Sequence, residues 1–133
     1  MQITTSRFLR TVLLADAATC LVSALLMIFG SAALGRLFGM PPKLFSYAGI
    51  SLLPFTAGLV YIMSRERLSP TVVWAIIVLN VLWTADSFLI IATGWVTPNE
   101  LGYAFVAAQA LAVAVLTGLE YAGLKKSAVA AIL

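Results

Sequence analysis

The 133-residue chain has eight basic and five acidic residues, no histidine and one cysteine, and 62% of it is hydrophobic. About a quarter of a soluble domain is charged, against 10% here, too little to cover a water-facing surface. These figures exclude a soluble enzyme, a disordered segment and a nucleic-acid-binding module, and they predict a single integral membrane domain. The missing histidine rules out bis-histidine haem ligation, histidine-bound zinc or copper and imidazole acid–base catalysis. With Cys20 alone, no internal disulfide or CxxC redox pair can form.

In chain order, Arg7 and Arg10 precede an apolar run ending near Ser31-Ala32-Ala33, which loosely imitates a signal-peptide cleavage site. The run contains Asp16 and is followed by three more apolar segments, so it is read as an uncleaved first span. Crossing the hydrocarbon core takes about 20 residues of helix. Spans are expected at about 11–30, 44–63, 71–93 and 101–124. Residues 31–40 are apolar with one arginine, which suits a short helix in the membrane interface. Gly39-Met40-Pro41-Pro42-Lys43 breaks the chain before the second span and residues 64–70 break it before the third. Gly94-Trp95-Val96-Thr97-Pro98-Asn99-Glu100 forms the third loop, with Asn99 or Thr97 available to cap the last helix. Trp95 and Tyr103 at one boundary, and Tyr121 at the other, suit interfacial anchors. The expected fold class is therefore an all-α integral membrane protein, a four-transmembrane-helix bundle. Arg7, Arg10, Arg65, Arg67, Lys125 and Lys126 would lie on one side, and Arg36 and Lys43 on the other. This bias puts both termini in the cytoplasm.

Ionisable residues at membrane depth are costly and are functional candidates by default. A helical rise of 1.5 Å per residue places Asp16 about 9 Å beyond Arg10 and Glu120 about 7.5 Å from Lys125, both in the cytoplasmic half. Asp86 lies about 12 Å from Gly94, in the outer half. Asp16, Thr19, Cys20 and Ser23 share one stripe, opposite Leu14, Leu21, Leu25, Ile28 and Phe29. Such a stripe fits either interhelical hydrogen bonding or a ligand or ion path. On the third span Asn80, Trp83, Thr84, Asp86 and Ser87 form a broader polar sector, facing away from Val78, Val81, Ala85 and Leu89. Gln109 lies between the expected depths of Asn80 and Asp86, either of which is a suitable cross-helix partner. Gln109 and Glu120 share a face with Gly102, Phe105, Val113 and Leu116. Ala107, Ala110, Ala114 and Gly118 form a second, small-residue face that suits close packing. Pro54 is expected to kink the second span and free the carbonyl of Ile50, with Ser51 near enough to help satisfy it. Asp16 and Glu120, at like depth, would repel unless one were protonated. Lys125 or Arg10 could snorkel toward them, and Arg36 could reach Asp86.

Leu37-Phe38-Gly39-Met40-Pro41, Asn80-Val81-Leu82-Trp83, Gly94-Trp95-Val96-Thr97-Pro98 and Ala104-Phe105-Val106-Ala107-Ala108-Gln109-Ala110 give a layout that resembles DoxX-like four-helix bacterial membrane proteins. The resemblance implies a bacterial inner-membrane location. The acidic residue often found in the second span of that group has no counterpart here. The four-span architecture is also similar to that of small multidrug resistance transporters, with Asp16 where those proteins carry a glutamate.

Three functions are compatible with these residues. The first is binding or transport of a small molecule or ion through the intramembrane carboxylates, with Asp16, Thr19, Ser23, Asn80, Trp83, Asp86, Ser87, Gln109 and Glu120 as candidate ligands. The second is a non-catalytic subunit of a larger membrane complex. The third is a bundle that binds a lipid or quinone. No catalytic constellation, metal-ligand cluster or phosphate-binding loop points to an enzyme or a cofactor. The partners expected are the bilayer, a homo-oligomer or larger complex, and a small apolar or cationic ligand.

Overall fold

The computed structural model describes residues 3–132, with side-chain surroundings described for residues 3–127. The elements in order are β1 (Ile3–Thr4), α1 (Arg7–Phe29), α2 (Ser31–Phe38), α3 (Pro42–Met63), β2 (Arg67–Leu68), α4 (Pro70–Ala92) and α5 (Glu100–Ile132). Helices α1, α3, α4 and α5 are each long and apolar enough to cross a membrane. The fold is an all-helical bundle apart from the small β1–β2 ladder.

Local chemistry explains the element ends. Ser6 caps α1, its hydroxyl accepting from the Leu9 amide at 3.0 Å, which satisfies one of the free donors of the first turn. Gly39 closes α2 in the left-handed region at φ 67°, where a Cβ would be strained. Pro42 and Pro70 open α3 and α4, where the missing amide costs no hydrogen bond. Asn99 caps α5 by accepting from the Gly102 amide at 2.8 Å. It also anchors α2, donating from its side chain to the Leu37 carbonyl at 3.0 Å and from its backbone to that of Phe38 at 3.1 Å. The close seat of α5 on α2 requires Gly102, because a Cβ there would collide with the Phe38 carbonyl.

Helix α5 runs past the expected end at residue 124 to Ile132. Lysines and alanines, unlike glycine or proline, give the chain no reason to stop. Helix α3 continues through Pro54 as one element. The Ser51 hydroxyl bonds the Ala48 carbonyl at 2.7 Å rather than that of Ile50. Helical serines reach back one turn, so the neighbouring carbonyl is out of their range.

Across the bundle, α1 packs against α3 on one side and α5 on the other, and α4 packs on α5. The close backbone approaches run in the order α3–α1–α5–α4, and α3 and α4 stand further apart, meeting through side chains at the end with Leu59 and Val73. Apolar clusters close both ends of this open row. At the end where α1 begins, Ile3 and Leu68 pair across the β ladder and join Leu9, Leu13, Leu59, Val73 and Leu124. The Ser6 amide donates to the buried Ser127 hydroxyl at 3.0 Å, tying α1 to α5 there. At the α2 end, Phe38 stacks on Phe105 with centroids 4.4 Å apart, and Phe45 tilts against both. The outer face of α1, with Leu14, Leu21, Leu25 and Phe29, stays exposed, as does the α4 face with Val78, Val81 and Leu89. These faces suit lipid.

Candidate functional site

Between the two apolar ends the helices turn their polar stripes inward and form two separate nodes. The deeper node joins Asp16 of α1, Asn80 of α4 and Glu120 of α5. The Asn80 side-chain nitrogen donates to Asp16 Oδ2 at 3.2 Å and to Glu120 Oε1 at 2.8 Å. Cys20 Sγ, one turn along α1, donates to Asp16 Oδ1 at 3.4 Å. All three polar residues of the node are buried, Glu120 completely.

The donor count at this node falls short. An asparagine amide has two hydrogens, and both are used, one on each carboxylate. Glu120 Oε2 is buried and accepts from nothing. A buried carboxylate needs several donors or a positive neighbour. With both acids ionised, two carboxylates share one amide and one thiol, and a proton shared between the two acids is the other donor the node can have. The expected basic partners are engaged elsewhere. The Arg10 guanidinium donates to the Arg65 carbonyl at 3.2 Å, and the Lys125 ammonium lies over the Tyr121 ring, 5.2 Å from its centroid. Both are short of the node because an aromatic or backbone partner at the interface costs less desolvation than a buried ion pair.

The second node lies nearer the α2 end and balances. Trp83 Nε1 donates to Gln109 Oε1 at 2.8 Å. Gln109 Nε2 donates to Ser87 Oγ at 2.9 Å and to the Val106 carbonyl at 3.1 Å. The Ser87 hydroxyl donates to the Trp83 carbonyl at 2.7 Å. Every side-chain donor in this ring is used. The expectation that Gln109 would meet Asn80 or Asp86 is therefore corrected. Asn80 is held between the carboxylates, and Asp86 lies about 100° round the helix from Ser87.

Asp86 is exposed, and among the described residues it forms no ion pair with Arg36, which is exposed on α2. Thr84 and Thr19 return their hydroxyls to carbonyls of their own helices, Asn80 and Ala15 respectively, a local bond that helical threonines commonly make. Of the small-residue face on α5, only Ala110 is buried, while Ala107, Ala114 and Gly118 point outward. Apart from Ala110, that face does not pack within the chain.

A cavity of about 510 Å³ occupies the space between the four long helices. Asp16, Thr19, Cys20 and Ser23 line it from α1, Ser51 and Pro54 from α3, Asn80 and Trp83 from α4, and Phe105 and Gln109 from α5. A second cavity of about 300 Å³ continues toward the α2 end, bordered by Tyr47, Asp86, Ser87 and Ile90. The structure thus gathers most of the candidate residues around one space. Glu120 stands behind Asp16 and Asn80 rather than on the wall, and Asp86 stands at the outer cavity. Among the described residues no group of three or more acidic or sulfur ligands is placed to hold a metal ion.

Sequence reasoning missed three features. The role of Cys20 as a donor to Asp16 was signalled only by its spacing of four. The Phe38–Phe45–Phe105 cluster joins residues far apart in sequence. The β1–β2 ladder has too few residues for any periodic signal.

No family model matches this chain, and neither a curated protein nor a solved structure matches it. The DoxX-like layout therefore has no matching family behind it, and function rests on the site alone.

Proposed function

We propose that this protein binds, and in doing so carries or senses, a small and mostly apolar molecule inside its bundle, with the Asp16–Glu120 pair as the polar end of the site. The observation that supports this reading is the coincidence of the cavity with the donor-poor node. A space of about 510 Å³ falls in the range of about 300–1,000 Å³ usual for small-molecule sites. Its wall is mainly apolar, and its most demanding polar group, Asp16, has fewer donors than an ionised carboxylate needs. Trp83 and Gln109 are fixed by their own ring of bonds, so they can shape the wall without rearranging. Lipids and quinones belong to the same reading, since both combine an apolar body with a polar head. The reading is of a binding or transport protein of the bacterial inner membrane rather than an enzyme. The lysine and arginine bias supports a cytoplasmic location for the end where α1 begins.

A second reading, a subunit of a larger membrane complex or a homo-oligomer, draws on the outward face of α5. Ala107, Ala114 and Gly118 leave a smooth surface there, and a Cβ at Gly118 would meet open space, which permits close approach of another helix.

Native mass spectrometry of the gently extracted protein tests the first reading. The wild type is expected to retain a small bound molecule that Ala112→Trp, which fills the cavity wall, expels. A chain that is bare in both forms, or one that retains only another protein, contradicts it.

A further inference from the structure

The two cavities share Met27, Ser51, Trp83, Phe105 and Gln109, so they adjoin along one cleft. The cleft follows the seam where the backbones of α3 and α4 stand apart. Along the bundle axis it is closed at the end where α1 begins by Leu9, Leu13, Leu59 and Ile77. At the other end the phenylalanine cluster closes it. On the side between α3 and α4 its lining includes the exposed Tyr47, Ser51, Pro54 and Asp86, and a spanning bundle would present that side to lipid.

The charge along the cleft has one sign. Asp86 borders the outer cavity and Asp16 the inner one, with Glu120 directly behind, while no lysine or arginine lines either space. Trp83 borders both cavities, and its ring is the kind of surface over which a cation is stabilised. Asp16 is the carboxylate on the inner wall, and the buried Glu120 behind it has one oxygen, Oε2, with no hydrogen-bond partner. An anionic or purely accepting head would meet two carboxylates and increase their repulsion. A head with N–H donors and a positive charge supplies what the node lacks.

We infer that the cleft takes a lipophilic amine in its protonated form, which enters from the bilayer through the α3–α4 seam and brings its ammonium to the Asp16–Asn80–Glu120 node. This rests on the small-molecule reading above and names the chemical class and route for that site. Asp86 meets the charge at the mouth, Trp83 flanks its path, and the apolar body remains among Met27, Leu52 and Phe105.

The test is equilibrium binding of radiolabelled dodecylamine and of dodecan-1-ol to the protein in phosphatidylcholine nanodiscs, with empty discs subtracted. A charge-assisted contact in a buried site predicts at least about tenfold tighter binding of the amine. In Asp16→Asn that preference should fall to about threefold or less. Glu120→Gln, which keeps the side-chain shape and adds donors, should reduce the preference in the same direction and covers the case in which Asp16→Asn does not fold. For the route, Tyr47→Cys and Ile90→Cys on a Cys20→Ala background are joined by a bifunctional maleimide, and uptake of the amine should slow sharply once the seam is bridged. Equal binding of amine and alcohol overturns the assigned class while leaving the cavity as a binding site. Unchanged uptake after bridging overturns the route. Binding of neither probe to folded protein overturns both this inference and the small-molecule reading.

Discussion

The two polar nodes are built from similar materials to opposite effect. Each ties α4 to α5 with a side-chain amide at its centre, Gln109 in one and Asn80 in the other. In the Trp83–Gln109–Ser87 ring the amide lies among neutral groups and every donor finds an acceptor. In the Asp16–Asn80–Glu120 node the same kind of amide lies between two carboxylates and is outnumbered. The difference separates a node that is complete within the fold from the one to which the proposed function assigns a ligand. A balanced buried network fixes helices in place, whereas an unbalanced one has unused capacity for something that arrives from outside.

Replacing the centre of each node separates them most strongly. Asn80→Leu leaves two buried carboxylates facing each other with no shared donor, and its stability should fall by about 3 kcal/mol, near the upper range for bonds to charged groups. Reversible unfolding in mixed micelles measures this. A smaller cost, about 1 kcal/mol, is expected for Gln109→Leu, since interhelical hydrogen bonds between neutral groups contribute modestly in membranes. If the two substitutions cost the same, the nodes do not differ as described.

The α5 alanines sharpen the contrast between inner and outer faces. Ala110 is fully buried, so Ala110→Leu should overpack the helix contacts at a cost of about 1–3 kcal/mol. Ala114 is exposed, and Ala114→Leu should leave the isolated chain within about 0.5 kcal/mol of wild type by the same unfolding assay. If Ala114→Leu instead breaks an assembly visible by size-exclusion chromatography, the subunit reading gains. A modest effect, about 1 kcal/mol or less, is expected at the start of α1, where Ser6→Ala removes the cap on Leu9.

Much of the fold could be read from the sequence because membrane spans advertise themselves. Long apolar runs admit only helices in lipid, and Gly39, Pro42, Pro70 and Asn99 mark the ends chemically. The inward stripe Asp16–Thr19–Cys20–Ser23 was legible for the same reason, since a period near 3.6 puts those residues on one face. The pairing between helices was not. Whether Gln109 meets Asn80 or Trp83 depends on relative depth and rotation to within a few ångströms, and on the α3–α1–α5–α4 order. No local signal specifies that order. The outward turn of Ala107 and Ala114 was hidden likewise, because a small-residue face reads the same whether its partner is in the same chain or another.

Exchanging an amide and an acid between the nodes tests the central claim most directly. Glu120→Gln and Gln109→Glu would be prepared in the same lipid mixture and their unfolding free energies compared with wild type. The account predicts that Glu120→Gln is at least as stable as wild type, because it brings donors to a node that lacks them. Gln109→Glu should lose about 1–3 kcal/mol, because it turns donors to Ser87 and the Val106 carbonyl into a repelling oxygen. A Glu120→Gln protein as destabilised as Gln109→Glu would contradict it, showing that the deep node is already satisfied and holds no capacity for a ligand.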